Sequence, residues 1–190
     1  IIMLIPAAQV SAQRINDVLD TKLSLHEGTK SSAPEVGTVE FRDVSFRYPS
    51  SGKDVLQHIS FTAKRGETVA FIGATGSGKT TLVSLIARFY DATSGQVLVD
   101  GQDVKEYTFD ALYNRIGYVT QKAILFSGDI RENVLFGESR SKGTDGDVQQ
   151  ALELAQATEF VEKLPGGIKA PISEGGSNVS GGQKQRISIA

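Results

Sequence analysis

A glycine-rich run near the middle of the chain carries the residue types that bind a phosphate. It reads Gly73-Ala74-Thr75-Gly76-Ser77-Gly78-Lys79-Thr80 and matches the pattern G-x-x-x-x-G-K-[ST] of a phosphate-binding loop, the P-loop. Glycine allows the backbone to turn its N–H groups inward around an anion. Lys79 brings a positive charge to the outer phosphates, and the Thr80 hydroxyl can bind Mg²⁺. The alternative is a plain glycine-rich turn, but the Lys-Thr pair favours a nucleoside-triphosphate site.

A second glycine pair, near the end of the sequence, also favours anion binding. The run Val179-Ser180-Gly181-Gly182-Gln183 is predicted to open a helix, whose first N–H groups and positive dipole end attract anions. One domain rarely needs two such anion-binding sites for a single nucleotide. In two copies facing head to tail, each shared nucleotide would contact both kinds of site, one from each copy.

The residues around these motifs predict the elements that position them. Residues 67–72 have the composition of a buried strand, and residues 80–88 have the apolar spacing of a helix that would start at the P-loop. Residues 116–121 are predicted to form another strand, and local evidence leaves open whether Gln121 is a ligand or a loop residue. Tyr48 precedes a turn, so it is either a core or strand-end residue or an aromatic platform for a base.

Further strands and helices fill the remaining sequence. Period-two alternation predicts strands at 39–41 with 44–48, at 55–56 with 59–62, and at 96–102, the last with an Asp-Gly turn. The predicted helices and caps are 110–115 with Thr108, 125–134 with Ser127 or Asp129 and Glu132, and one or two helices within 145–164.

Composition limits the class of protein. The chain has 190 residues, of which 39% are hydrophobic and 22% charged. That is enough for one α/β domain with an appendage. A net charge of −2 gives no basic field for nucleic acid, and the absence of cysteine excludes disulfides, thiolate metal sites and cysteine nucleophiles. The start of the sequence lacks a basic leader, so no secretory signal is expected.

The first residues are apolar and lead into an amphipathic pattern. Residues 1–5 are too few to cross a bilayer, which takes about 20 residues, but they would be ordinary as the last turns of a transmembrane helix. Residues 7–25 carry the spacing of an amphipathic helix. A helix packed on the soluble domain is an equal alternative. Residues 27–34 are polar, end in proline and are typical of a linker.

Together, these residues resemble the nucleotide-binding domain of an ABC transporter of the exporter type. Val179-Ser180-Gly181-Gly182-Gln183 is similar to the family signature L-S-G-G-Q, with Val in place of Leu. Tyr48 stands where the family has its adenine-stacking tyrosine. Gln121 stands where the family has the glutamine of the Q-loop. With the P-loop, four motifs follow in the family's order, and the resemblance covers essentially the whole chain.

Other segments extend the resemblance to exporters in particular. Residues 125–127 and 130–133 are similar to the segment that follows the Q-loop in exporters. Glu174 and Gly176 align with the exporter X-loop, although Ser173 stands where that motif usually has glycine. Residues 12–20 resemble the join between the last transmembrane helix and the nucleotide domain, which implies that residues 1–5 are the end of that helix.

The resemblance implies a fold and a domain division. The expected fold is α/β, a P-loop NTPase (ABC ATPase) core with an antiparallel β subdomain and an α-helical subdomain. Residues 1–27 would be the end of the last transmembrane helix and a connecting helix, residues 28–37 a linker, and residues 38–190 a nucleotide-binding domain that is incomplete at its C-terminal side.

The implied activity is Mg²⁺-assisted hydrolysis of ATP, coupled through dimerisation of nucleotide domains to export of a substrate across a membrane. Lys79 and Gln121 would be catalytic, and Thr80 with Gln121 would bind Mg²⁺. The expected partners are a second nucleotide-binding domain, in a homodimer or heterodimer, the protein's own transmembrane domain and the membrane, with no nucleic acid. The domain would lie at the cytoplasmic face of the cell membrane. The implied nucleotide contacts are Tyr48, Gly73, Thr75, Gly76, Ser77, Gly78, Lys79, Thr80, Thr81, Ser180, Gly181, Gly182 and Gln183.

Several later motifs of the family do not occur in these residues. They are the Walker B strand with its aspartate, the glutamate base, the D-loop and the switch histidine, and neither His26 nor His58 is placed to be that histidine. We therefore expect a fragment that binds ATP weakly, if at all, and does not hydrolyse it, which a phosphate-release assay would test. Two other interpretations are a catalytically degenerate partner subunit of a heterodimeric exporter and a soluble ABC ATPase without a transport role.

Overall fold

The computed structural model describes residues 4–34, 36–137 and 143–190. The chain divides into two units, Ile1–Leu112 and Tyr113–Ala190. The first unit contains the P-loop and most of the strands, and the second is mainly helical. The antiparallel β and α-helical parts of the predicted fold are therefore both present.

An antiparallel sheet organises the first unit. It consists of β1 (Val39–Phe46), β2 (Leu56–Ala63), β3 (Ser94–Val99) and β4 (Gln102–Asp103), in the order β2-β1-β3-β4. These strands confirm the predictions made from period-two alternation. The predicted Asp-Gly turn joins β3 to β4, and Asp100 and Gly101 both have positive φ values, 54° and 75°, as a tight hairpin turn of this kind requires.

The core of the first unit lies between this sheet and the helix that follows the P-loop. That helix, α2 (Lys79–Ile86), confirms the predicted helix but ends before residue 88. Its Leu82 and Leu85 are buried, as is Tyr107, whose hydroxyl donates to the carbonyl oxygen of Val99. The short helix α3 (Phe109–Tyr113) begins where predicted, and the Thr108 hydroxyl accepts a hydrogen bond from Ala111 N at 3.2 Å.

Two strands predicted from sequence are not formed. Residues 67–72 and 116–121 have no regular secondary structure, and Ile72 is 97% exposed. A buried strand is stabilised by hydrogen-bonded neighbours on the sheet, which a local apolar run does not supply. The sheet of the first unit does not include residues 67–72, so their hydrophobicity alone does not make them a strand.

The N-terminal segment forms a helix, α1 (Leu4–Leu19), which is shorter than the predicted 7–25. Its apolar residues Val10, Ile15, Val18 and Leu19 are exposed, which does not support the alternative of a helix packed on the soluble domain. No helix among the described residues has both the length and the hydrophobicity to span a membrane. The proposed boundaries of the terminal segment and linker stay predictions.

The described residues of the second unit form four α-helices, which pack around one apolar core. They are α4 (Ile130–Val134), α5 (Asp145–Leu154), α6 (Thr158–Glu162) and α7 (Gly181–Ile189), accompanied by the paired strands β5 (Gly128–Asp129) and β6 (Pro171–Ile172). Asp129, rather than Ser127, caps α4, with Glu132 completing a capping box as predicted. The predicted helix within 145–164 is two helices. The core residues include Leu125, Ile130, Val148, Leu152, Val161 and Ile187.

Candidate functional site

The side chain of Lys79 is hydrogen-bonded to the backbone of its own loop. Its Nζ donates to the carbonyl oxygens of Gly73 at 2.7 Å and Ala74 at 2.8 Å, and approaches the Ser77 hydroxyl at 3.3 Å. The ammonium group therefore lies against the loop that carries the phosphate-binding pattern. A phosphate that reaches this loop meets the charge already in place, and its oxygens compete with neutral carbonyls for the same donor.

Two glycines of the loop have conformations that other residues adopt at a cost. Gly76 and Gly78 have φ values of 83° and 90°, in the left-handed region that favours glycine. A Cβ atom on Gly78 would lie 2.9 Å from Leu56 Cδ2, whereas one on Gly76 would meet open space. Gly76 is required by its backbone conformation, and Gly78 by both its conformation and close packing.

The start of α2 offers backbone donors to an anion. Gly78 is the N-cap residue and makes no side-chain cap, and the first turn contains no acidic residue. The first N–H groups of a helix have no intrahelical acceptor, and the helix dipole adds positive potential there. Thr80 is exposed in this first turn, with its hydroxyl at the same end of the helix. This arrangement fits a phosphate group.

Tyr48 lies beside the start of the same helix. Its hydroxyl is 2.9 Å from the hydroxyl of Thr81, which is buried. Its ring makes edge contacts with Phe46 and Tyr90, with centroids 4.8 and 5.1 Å apart. The structure thus brings Tyr48 together with the P-loop helix, although the two are far apart in sequence. Its role as a base platform stays a prediction.

The residues present fit a nucleotide with Mg²⁺. The glycine backbone, the Lys79 ammonium and the uncapped helix start suit the phosphates, and the Thr80 hydroxyl is an oxygen ligand of the kind that Mg²⁺ takes. No group of three or more His, Cys, Asp or Glu side chains that could hold a metal occurs among residues 4–34, 36–137 and 143–190.

The remaining predicted site residues belong to the second unit. Gln121 is exposed in a segment without regular structure. Ser180 is the N-cap of α7, where its Oγ accepts from Gln183 N at 3.3 Å and its N–H donates to Gln183 Oε1 at 2.8 Å. Gly181 and Gly182 follow in the first turn; both are exposed, and a Cβ atom added to either would meet no atom within 4 Å. The Gln183 side chain is thus used to cap the helix.

The segment before α7 is fixed by two residues for which the sequence predicted no such contact. The Asn178 side chain accepts from Ser173 N at 3.0 Å and donates to the Pro171 carbonyl oxygen at 2.7 Å. Lys184 Nζ donates to the Gly175 carbonyl oxygen at 2.8 Å. These bonds tie the turn that carries Glu174 and Gly176 to strand β6 and to α7. No motif predicts these hydrogen bonds, so only the folded structure reveals them.

Known proteins are similar to this chain over most or all of its length. A family model described as ABC transporter matches residues 56–190. An uncharacterized ABC transporter ATP-binding protein, YfiB of Bacillus subtilis, is 43% identical over 190 residues, which are 100% of this chain and 33% of that protein. YheH of the same organism, named a probable multidrug resistance ABC transporter ATP-binding/permease protein, is 44% identical over 96% of this chain and 27% of its own length.

A solved structure agrees with these sequence matches. It is described as a bacterial Atm1-family ABC exporter with ATP bound, and it matches with a TM-score of 0.83 and 32% identity. The match covers 97% of this chain and 32% of the solved chain. The chain thus spans about a third of the length of the proteins that it resembles.

Proposed function

Because the chain belongs to the ABC transporter family, we propose that residues 38–190 are the ATP-binding part of an exporter. The observation that carries this proposal is the start of α2, where a glycine N-cap leaves backbone donors beside the Lys79 ammonium. The ATP-bound exporter and the multidrug-resistance relative support the exporter class. ATP hydrolysis in the whole protein would supply the free energy for transport.

Residues in and around the P-loop have separate proposed tasks. The backbone of residues 76–81 and the Lys79 ammonium would hold the phosphates, because fixed donors neutralise the charge that develops during phosphoryl transfer. Thr80 and Gln121 would hold Mg²⁺, which supplies charge neutralisation at the phosphate oxygens when bound. Tyr48 would stack on the adenine ring, with Thr81 and its aromatic neighbours fixing its position.

The start of α7 is proposed to serve the nucleotide of a second copy. Ser180 accepts from Gln183 N, but its hydroxyl proton can still be donated to an anion. Gly181 and Gly182 add first-turn N–H groups. ATP bound to one nucleotide-binding domain would then be covered by this segment of another, so the proposed partner is a second domain of this kind.

A pair of exposed aromatic rings supports a membrane-domain partner. Phe126 and Phe136 are stacked with centroids 4.2 Å apart, and they are 49% and 66% exposed. Together with Tyr118, Ile124 and Val134 they line an open cleft. Large apolar side chains grouped at a surface mark contact sites. The proposed occupant is the permease portion of the same polypeptide, because the chain covers only 27% of an ATP-binding/permease relative. The ATP-binding domain would then lie at the cytoplasmic face of the membrane.

A measurement of ATP binding tests whether the P-loop is the nucleotide site. In the intact protein, we expect Lys79→Ala to weaken binding of a fluorescent ATP analogue by at least about tenfold, because charge-assisted hydrogen bonds to phosphate are lost. Lys22→Ala, which removes an exposed lysine outside the proposed site, is the matched control and should bind as the wild type does. Equal affinities of the two variants would contradict the proposal.

A further inference from the structure

Residues 26–30, which we call the strap, lie hydrogen-bonded along residues 106–109. Gly28 N donates to the Tyr107 carbonyl oxygen at 2.9 Å, and Thr29 N and Lys30 N donate to that of Glu106 at 2.9 and 2.8 Å. In return, Thr108 N donates to the Lys30 carbonyl oxygen at 2.9 Å. A segment whose composition predicts a linker is therefore attached in part to the first unit.

The attachment depends on a glycine and on a carboxylate. A Cβ atom on Gly28 would lie 2.2 Å from both the carbonyl carbon and the carbonyl oxygen of Glu106. These are backbone atoms, so the clash cannot be relieved by a side-chain rotation. One residue earlier, Glu27 Oε1 accepts from Phe109 N at 2.9 Å. The strap thus fits its place through specific contacts rather than through general hydrophobicity.

Arg88 connects the strap to the end of α2. It is buried, 2% exposed, and its Nη2 donates to the His26 carbonyl oxygen at 2.7 Å. Its Nε donates to Asp91 Oδ1 at 2.9 Å, and the guanidinium lies 5.4 Å from the centroid of the Phe109 ring. Nη1 has no hydrogen-bond partner within the part of the chain that the structure describes.

Removal of the strap would take away one hydrogen-bond acceptor of this guanidinium. Nη2 would lose its acceptor while it is buried, next to the Nη1 that already has none, and a buried donor without an acceptor is costly. Arg88 would then keep only its bond to Asp91 of the two hydrogen bonds that hold its side chain. It lies just beyond the last residue of α2, and the first residues of the same helix are Lys79 and Thr80. An α-helix of this length is about 12 Å long at about 1.5 Å per residue, and its backbone hydrogen bonds make it a stiff connection between its two ends.

We propose that Arg88 is a positioning residue that couples docking of the strap to nucleotide binding at the P-loop. The strap holds one end of α2, and the phosphates bind at the other end. By linkage, a nucleotide that requires this placement of α2 favours the docked strap, and the docked strap raises nucleotide affinity by the same factor. The chain N-terminal to residue 26 can thereby act on the nucleotide site. This inference rests on the proposed function of the P-loop.

The experiment measures ATP affinity and amide hydrogen exchange in the intact protein. Gly28→Ala should speed exchange of the strap amides and weaken ATP binding by about fivefold or more, the lower range of allosteric coupling. In the wild type, ATP should slow exchange of the same amides. Gly146→Ala is the matched control, because its Cβ would meet only an ordinary contact at 3.5 Å; it should leave both measurements unchanged.

Two further variants separate the proposed coupling from misfolding of the Gly28→Ala variant and from a purely structural role of Arg88. Glu27→Ala changes an exposed side chain and should give the same two effects with smaller amplitude. Arg88→Lys keeps the charge but not the two-armed guanidinium, and it should abolish the ATP-dependent slowing of exchange at the strap. ATP affinity equal to the wild type in both Gly28→Ala and Glu27→Ala would overturn the inference and leave the proposed function intact. Failure of the wild type to bind ATP would overturn the proposed function and this inference with it.

Discussion

At the scale of single residues, the P-loop carries out its role through backbone conformation as much as through charge. Lys79 is held by the carbonyl oxygens of Gly73 and Ala74, which places a positive charge within the loop before a phosphate arrives. Gly76 and Gly78 give the loop its shape because both have φ near 90°. These two glycines differ in their surroundings, and that difference makes them a matched pair for experiment.

We expect Gly78→Ala to destabilise the protein more than Gly76→Ala. Both substitutions place alanine in the left-handed region, which costs about 1–2 kcal/mol. Gly78→Ala also places a methyl group 2.9 Å from Leu56 Cδ2 and 3.2 Å from the backbone carbonyl oxygen of Val55, and overpacking of this kind adds about 1–3 kcal/mol. Urea unfolding of the two variants measures the difference. Equal free energies of unfolding would show that the packing around Gly78 relaxes without cost.

At the scale of elements, helices α2 and α7 both have glycine at their N-terminal ends, but only α7 has a side-chain cap. α2 starts at Gly78 with no side-chain cap, whereas Ser180 and Gln183 close α7 with a capping box. The uncapped helix leaves more of its first N–H groups for an external anion. This difference supports α2 as the principal phosphate site and α7 as a surface that contributes a hydroxyl and two glycine amides.

A capping box on α5 gives a pH dependence with a definite sign. The backbone and side chain of Thr144 donate hydrogen bonds to the Asp147 carboxylate, and these bonds lower its pKa. A lowered folded-state pKa stabilises the fold above the unfolded-state pKa, and this contribution is lost as the pH falls through the folded-state pKa. The stability advantage of the wild type over Asp147→Asn should therefore shrink towards acidic pH.

Unfolding free energies of both proteins from neutral to acidic pH measure this effect. Glu153→Gln is the control, because it removes one charge from α5 outside the capping box. A stability difference between wild type and Asp147→Asn that stays constant over the acidic range would contradict the assignment.

At the scale of the whole molecule, the stacked pair Phe126 and Phe136 should matter only when the proposed permease portion is present. We expect Phe136→Ala in the intact protein to leave ATP affinity within about twofold, a free-energy change of less than about 0.5 kcal/mol, and to abolish coupling of ATP hydrolysis to transport. The physical reason is that a large apolar ring, 66% exposed, would lose the contact that transmits movement between domains.

Transport assays together with ATP binding measure this separation. Leu154→Ala removes another exposed apolar side chain of the second unit, 79% exposed and outside the cleft, and it should have no effect on either quantity. Loss of coupling in both variants would show that surface hydrophobicity in general, rather than the aromatic pair, is responsible.

Local patterns predicted the elements whose stabilising partners are close in sequence. The hairpin at Asp100–Gly101 and the helix starting at the P-loop follow from turn chemistry and apolar spacing, and capping chemistry limited the cap of α4 to Ser127 or Asp129, of which the structure has Asp129. Residues 67–72 and 116–121 do not form the predicted strands, because a strand depends on distant partners that its own sequence does not specify. The candidate site at the P-loop was therefore predictable, but not the strand before it.

The sequence by itself determined which residue types the proposed phosphate site contains, since the order Gly-x-x-x-x-Gly-Lys-Thr sets backbone freedom, charge and hydroxyl within one short loop. Only the tertiary structure decided which distant residues contact the two ends of the helix that follows this loop. Tyr48 meets Thr81 through a hydroxyl contact, and buried Arg88 joins the end of α2 to the His26 carbonyl oxygen. Burial and hydrogen bonding between residues far apart in sequence depend on how the whole chain packs, and a local pattern carries no record of that packing.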